Sequence, residues 1–274
     1  MGSWLCSAEY STEPISFFSY QNKKYPVFSS FEGHFKPTDP IAGKQNRFAK
    51  LGKMADTVIA KMRLEVEDDP LSMEGRLAFA CLLMLLTGGR SGNEASAAGY
   101  VSQLPGNIGE TVQTFGVTTL KPEHIRVEGN TLMLDFLGKK QVSQNITVTD
   151  PLLVDTGKLY LNDKIDPFAS SEIVADTWIG VTTRDFTHAV KQYFGEEFLV
   201  KDLRTFVANI TCFDTMRPFL EKVTVPKAQA KQELSEVVDT VAEKLGNTAS
   251  VARSAYLDGR MLLWFLQQRI RGEA

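Results

Sequence analysis

The chain has 274 residues, 43% of them hydrophobic and 23% charged, enough to bury a sizeable core in one large domain or one large and one small. Its three cysteines, Cys6, Cys81 and Cys212, are far apart and form no C-x-x-C pair, which argues against a zinc site or a disulfide framework and for a reducing, intracellular setting. The net charge of −3 means that any nucleic-acid binding must rely on one basic face and not on the whole surface.

The N-terminus has no basic segment followed by a long apolar run, so no secretory leader is expected. Residues 1–45 are aromatic, carry Pro14, Pro26, Pro37 and Pro40, and show no helical period. They read as strands and loops, a small β arm. From Asn46 the pattern turns helical, with Phe48, Leu51, Met54, Ala55, Ile59 and Met62 recurring on one face. Asp68-Asp69-Pro70 stops that helix, and a strongly apolar one follows from Ser72 to Thr87, ended by Gly88-Gly89. Its apolar run, Leu77–Leu86, is about half of a membrane span and reads as a buried core helix.

After a glycine-bearing loop, Leu104–Gly116, come short β-type runs at Val117–Leu120, His124–Val127, Thr131–Phe136 and Val142–Val148, with Gly129-Asn130 as a turn. Helices resume at Leu152–Leu161, Thr183–Phe194, Leu203–Met216, Lys227–Lys244 and Ala249 to the end, with Pro226 suited to a first turn. The fold class is therefore mainly α with a small antiparallel β-sheet (α+β). Residues 1–45 form a short N-terminal segment, a reduced β domain, and residues 46–274 the main domain.

Four segments could carry chemistry. Gly89-Arg90-Ser91-Gly92-Asn93-Glu94 follows the buried helix, and flexible backbone there presents a guanidinium to an anion; the plainer reading pairs Arg90 with Glu94. Leu137-Gly138-Lys139-Lys140 places Lys139 on a tight hairpin, where it can act as a general acid or be an ordinary basic turn. In Val200-Lys201-Asp202-Leu203-Arg204-Thr205, with Asp202 capping, Lys201 and Arg204 lie on one side of a helix start. Leu245-Gly246-Asn247-Thr248 precedes Arg253-Ser254-Ala255-Tyr256; Asn247 can donate its amide to an oxyanion, while a single tyrosine is more often a packing residue. His34, His124 and His188 share no ligand spacing and read as structural, as do Trp178 and Trp264.

Together these segments resemble the type IB DNA topoisomerases, above all the small viral and bacterial branch. The matching pieces are Arg90-Ser91-Gly92-Asn93-Glu94, the stretch Gly116 to Lys121, Phe136-Leu137-Gly138-Lys139, Lys201 to Thr205, and Gly246-Asn247-Thr248 with Tyr256 nine residues after Asn247. The resemblance covers roughly residues 45–260, and five matches in order make it specific. Viral members carry a histidine where Asn247 stands, whereas bacterial members resemble this chain there. The family usually has a substantial N-terminal β domain that closes over the duplex; only about 45 residues stand in its place here. The stretch from Ala95 to Phe115 looks longer than the family's loop.

The resemblance implies a DNA breaking-rejoining catalytic core that relaxes supercoils without ATP or metal. In it Tyr256 would be the nucleophile, Arg90, Arg204 and Asn247 would hold the scissile phosphate, and Lys139, with Lys201 as a second member of the relay, would protonate the leaving 5′ oxygen. Double-stranded DNA would lie against Lys44, Arg47, Lys50, Lys53, Lys140 and Arg253. No cofactor, no metal and no membrane are expected, and the protein would act as a monomer in cytoplasm or nucleoid, or in a viral setting. The rivals are a tyrosine recombinase or integrase, whose usual H-x-x-R differs from Lys201-Asp202-Leu203-Arg204, and a DNA-binding protein without catalysis.

Overall fold

The computed structural model describes residues 13–28, 40–163, 176–221 and 224–270. Cys6, His34 and the side chain of Lys44 lie outside the described residues. Strands β1 (Ser16–Tyr20) and β2 (Lys23–Val27) form an antiparallel hairpin with Phe18 opposite Tyr25. Alternation sends Phe18 and Tyr20 inward and leaves Phe17 and Ser19 outside. Phe18 stacks on Tyr25 at 5.5 Å and meets Phe48 edge-on at 5.4 Å, and Tyr20 meets Phe206 at 5.1 Å. The expected β arm is thus present, and it is packed into the helical core.

Helix α1 (Pro40–Asp68) begins before the expected start at Asn46, so the boundary drawn between residues 45 and 46 falls inside a helix. Helix α2 (Met73–Thr87) is the buried centre. Ser72 caps it by accepting from the Gly75 amide at 3.0 Å, and residues from Ala78 to Leu85 are all buried. Phe79 in its middle meets Tyr160 and Trp178 edge-on, at 5.0 and 5.4 Å.

A short helix, α3 (Glu94–Ala98), leads into a two-stranded arm, β3 (Tyr100–Val101) with β4 (Thr111–Val112). The larger sheet is antiparallel, in the order β5 (Ile125–Glu128), β6 (Thr131–Gly138), β7 (Val142–Val148). Leu132, Leu134 and Phe136 of β6 point into the core. Val117–Leu120 was expected to be a strand. It is a tight 3-10 turn over Val117–Thr119, because its amides pair with the Arg90 and Ser91 carbonyls and not with a neighbouring strand. Its β-type composition reflects burial, since all four residues are inside.

The remaining described elements are helices: α4 (Pro151–Asn162), α5 (Thr183–Phe194), α6 (Val200–Leu220), α7 (Lys227–Lys244), α8 (Ala249–Ala255) and α9 (Gly259–Ile270). The single helix expected from Ala249 to the end is broken at Tyr256–Asp258. Asn209, buried in α6, donates to the Tyr256 carbonyl at 2.9 Å and accepts from the Asp258 amide at 2.9 Å, taking both groups out of helical pairing. Among the described residues no helix is long and apolar enough to cross a membrane.

Arg76 fastens α2 to its surroundings. It is 1% exposed, donates to the Leu71 and Ile179 carbonyls at 3.0 and 2.9 Å, pairs with Asp163, and stands 4.8 Å over the Tyr160 ring. Arg76→Ala leaves those carbonyls and that carboxylate without the guanidinium, so it should cost about 3 kcal/mol of unfolding free energy. Urea unfolding of the two proteins measures it, and a change within about 0.5 kcal/mol would refute the anchoring role.

Candidate active site

The site is built where three chain segments meet. The first is the exit of α2. Gly88 takes φ +70°, returns its amide to the Met84 carbonyl at 2.8 Å, and turns the chain toward Arg90. A side chain there would also run into Leu245, 2.8 Å from where a Cβ would lie. The 3-10 turn then holds the next two residues. Val117 donates to the Arg90 carbonyl at 2.7 Å, and the Thr118 amide and hydroxyl both donate to the Ser91 carbonyl, at 2.7 and 2.8 Å. Gly116 permits this approach, because a Cβ would sit 2.5 Å from the Gly92 nitrogen and 2.6 Å from the Arg90 oxygen.

The second segment is the start of α6. Asp202 caps it from within the first turn, accepting from the Leu199 amide at 2.8 Å and from Arg47 Nε at 2.8 Å. Arg204, 3% exposed, donates Nη1 to the Gly88 carbonyl at 2.7 Å and Nη2 to the Leu245 carbonyl at 2.9 Å. One buried guanidinium therefore ties the loop carrying Arg90 to the loop carrying Asn247. Its Nε is buried and has no hydrogen-bond partner among the described residues.

The third segment runs from Asn247 through α8. Arg90 Nη2 donates to Asn247 Oδ1 at 2.6 Å, so the expected alternative, pairing of Arg90 with Glu94, is not what forms. Glu94 instead accepts from the Thr183 amide at 2.6 Å at the head of α5. With its oxygen taken, Asn247 keeps its Nδ2 as a buried donor without a partner among the described residues. Thr248 caps α8, and Tyr256 stands at the end of that helix, 8% exposed, with its backbone held by Asn209.

Arg204 Cζ and Lys201 Nζ each lie 5.3 Å from the centre of the Tyr256 ring. Burial alone would raise the Tyr256 hydroxyl. Arg204 first, then Arg90 and Lys201, outweigh it and hold the hydroxyl below the ordinary phenol range. Burial lowers the pKa of Arg204, with a smaller contribution from Arg90, while Tyr256 opposes both.

Arg90, Lys139, Lys140, Lys201, Arg204 and Tyr256 all line one cleft of about 950 Å³, together with Tyr100 and Val101 of β3; Asn247 is not among the lining residues and joins the site through its bond to Arg90. Lys139 and Lys140 are exposed on the turn between β6 and β7, and Lys140 takes a left-handed φ of 61°. Chemically, such a cleft can hold an oxyanion on its guanidinium donors, beside a phenol and two lysine side chains.

Among the described residues, the other expected duplex contacts, Arg47, Lys50, Lys53 and Arg253, do not line this cleft. Arg47 is paired with Asp202, Lys50 with Glu197 at 3.1 Å, Lys61 with Glu65 at 3.6 Å and Arg63 with Asp150 at 2.9 Å. Three of these carboxylates, Asp202, Glu197 and Asp150, come from outside α1, and Glu65 lies within it. Lys53 and Arg253 are exposed on α1 and α8. His124 accepts from the Lys121 amide at 2.9 Å and packs 4.2 Å from Phe115, and Trp178 is 1% exposed with its indole bonded to the Gly157 carbonyl, as packing residues. Asn209 was not anticipated; an asparagine inside an otherwise apolar helix stretch is the signal that could have found it.

The chain is similar to DNA topoisomerase 1B of Acanthamoeba polyphaga mimivirus, 23% identical over 150 residues, covering 53% of this chain and 45% of that protein. It is 28% identical over 145 residues to DNA topoisomerase I of Monkeypox virus and 27% identical over 145 residues to DNA topoisomerase 1B of Vaccinia virus (strain Copenhagen), each match covering 53% of this chain and 43% of the relative. The matched part thus spans less than half the length of these relatives. The family described as eukaryotic DNA topoisomerase I, catalytic core, matches residues 42–262, which include every cleft-lining cation and Tyr256, and the chain belongs to that family.

Proposed function

We propose that the protein relaxes supercoiled double-stranded DNA as a type IB topoisomerase, by transient cleavage of one strand through a 3′-phosphotyrosyl intermediate. The observation that carries this reading is the gathering of Arg90, Lys139, Lys201 and Arg204 around Tyr256 in one cleft, with Arg90 bonded to Asn247. Tyr256 Oη, its proton lost to solvent, attacks the scissile phosphorus as the phenolate, the P–O5′ bond breaks, and Lys139 gives its proton to the departing O5′, with Lys201 as a second donor. Arg90, the free Nε edge of Arg204 and Asn247 Nδ2 hold the non-bridging oxygens, whose charge grows in the transition state. The phosphotyrosine keeps the energy of the broken diester, so rejoining needs no ATP, and the guanidinium groups carry the charge that a metal would otherwise carry.

Residues 46–274 act as the catalytic unit, and the N-terminal hairpin serves as a reduced β element packed on it. The protein works as a monomer and in a reducing compartment, and the second of these readings is supported by Cys81 and Cys212 being free and buried. Lys140 supplies a backbone contact at the cleft and Lys53 and Arg253 further ones outside it, while Lys44, Arg47 and Lys50 complete the duplex contact, the latter two after leaving their present acidic partners.

Supercoiled plasmid incubated with the protein in EDTA and without ATP tests the reading. Catalytic relaxation is expected, and denaturant should trap protein covalently on the 3′ end of nicked DNA. Cutting only at paired recognition sites would favour a recombinase, and no adduct at all would favour simple DNA binding.

The depressed Tyr256 hydroxyl gives a pH signature. Cleavage by the phenolate rises with pH up to the Tyr256 pKa, which the surrounding cations hold below the usual value of about 10. Arg90→Ala removes one of those cations, so the rising limb of single-turnover cleavage should move to higher pH as its plateau falls. A limb that stays in place would mean that it reports another group.

A further inference from the structure

The turn that bears Lys139 is stitched on both sides to the arm formed by residues 94–115. On one side the Phe115 amide donates to the Leu137 carbonyl at 2.8 Å, two residues before Lys139. On the other side both polar atoms of the Gln141 amide are engaged, two residues after it. Gln141 Nε2 donates to Ser102 Oγ at 2.7 Å, and Gln141 Oε1 accepts from Asn107 Nδ2. Ser102 is fully buried, and its hydroxyl donates to Asn107 Oδ1 at 2.9 Å, which closes a three-residue ring of hydrogen bonds. The turn itself needs such support. Lys140 and Gln141 are consecutive non-glycine residues in the left-handed region, at φ 61° and 60°, a conformation that persists where surrounding contacts over-determine it. The tip of the arm is exposed and apolar, with Ile108 69% exposed.

We propose that Gln141, latched by Ser102 and Asn107, is a positioning residue that fixes the Lys139 ammonium at the leaving oxygen, so that the 94–115 arm and the general acid move as one body. The proposal rests on the topoisomerase reading above. A flexible lysine on an unlatched turn would still bind DNA, but it would spend less time within reach of O5′, and displacement of a reacting group by about 1 Å costs up to about 100-fold in rate. The latch couples the arm to the chemistry, because whatever duplex surface meets the arm sets the place of the proton donor.

The test separates protonation from every other step. A nicked-strand DNA substrate is made with the scissile 5′ bridging oxygen, or with sulfur in its place. A thiolate leaves without a proton, so loss of the acid slows oxygen departure and spares sulfur departure. Single-turnover adduct formation is measured for wild type, Lys139→Ala, Gln141→Leu and Asn107→Ala, with thermal melts to establish that each is folded. Gln141→Leu and Asn107→Ala should slow cleavage of the oxygen substrate by about 10- to 100-fold and react with the sulfur substrate near the wild-type rate. Asn107→Ala approaches the latch from the arm and leaves the lysine turn untouched, so it serves if Gln141→Leu does not fold. Equal slowing on both substrates, or no slowing on either, overturns the latch. Failure of wild type to form an adduct with either substrate overturns the topoisomerase reading itself. Lys139→Ala without sulfur rescue, beside an active wild type, overturns the latch together with the assignment of Lys139 as the acid.

Discussion

Tyr256→Phe should abolish covalent trapping on DNA and lower supercoil relaxation by at least about 10⁴-fold, while leaving the fold and duplex binding intact. Phenylalanine keeps the ring against Arg204 and Lys201, so unfolding free energy should change by no more than about 0.5 kcal/mol. The other tyrosines sharpen the assignment. Burial, as the largest cause, pushes the Tyr20 hydroxyl up to about 12 and raises Tyr25, Tyr160 and Tyr193 as well, whereas the cations around Tyr256 pull its hydroxyl down. Tyr100 also lines the cleft and is the natural control. Tyr100→Phe should still form the adduct. If Tyr256→Phe is trapped as readily as wild type, or if only Tyr100→Phe loses trapping, then Tyr256 is not the nucleophile.

The residues around Tyr256 were legible only as a set: each segment alone also read as an ordinary ion pair, turn or packing residue, and it was their order and spacing that carried the family resemblance. What joins those segments was not readable. Arg204 reaches carbonyls of residues 116 and 41 positions away, and backbone carbonyls leave no mark in a sequence. The Ser102–Asn107–Gln141 ring likewise depends on the arm folding over the lysine turn, which no short pattern announces. The ion pairs of the α1 bases were hidden for the same reason: their counter-charges Asp202, Glu197 and Asp150 come from the start of α6, the turn before it and the cap of α4. Val117–Leu120 misled differently, because a valine-threonine run favours any buried extended surface and cannot say whether its amides face a strand or the Arg90 loop.

Arg204→Ala should show two losses that one role alone cannot produce. As an anchor, Arg204 holds the Gly88 and Leu245 carbonyls, and without it two buried acceptors are stranded in a cavity. That should cost about 3 kcal/mol of unfolding free energy. As an electrostatic group, its charge is the largest of those that lower the Tyr256 hydroxyl, and its Nε is a buried donor with no hydrogen-bond partner among the described residues. Losing that should slow cleavage by about 10² to 10³-fold at a temperature where the variant is still folded. Arg204→Lys separates the two parts. Lysine keeps the charge near Tyr256, but one ammonium on a flexible stem cannot reproduce a planar fork that spans two fixed carbonyls. It should therefore recover part of the depressed hydroxyl, read as a cleavage pH limb nearer wild type, while remaining less stable than wild type. A variant that melts like wild type would refute the anchor; one that is destabilised yet cleaves at the wild-type rate would refute the charge.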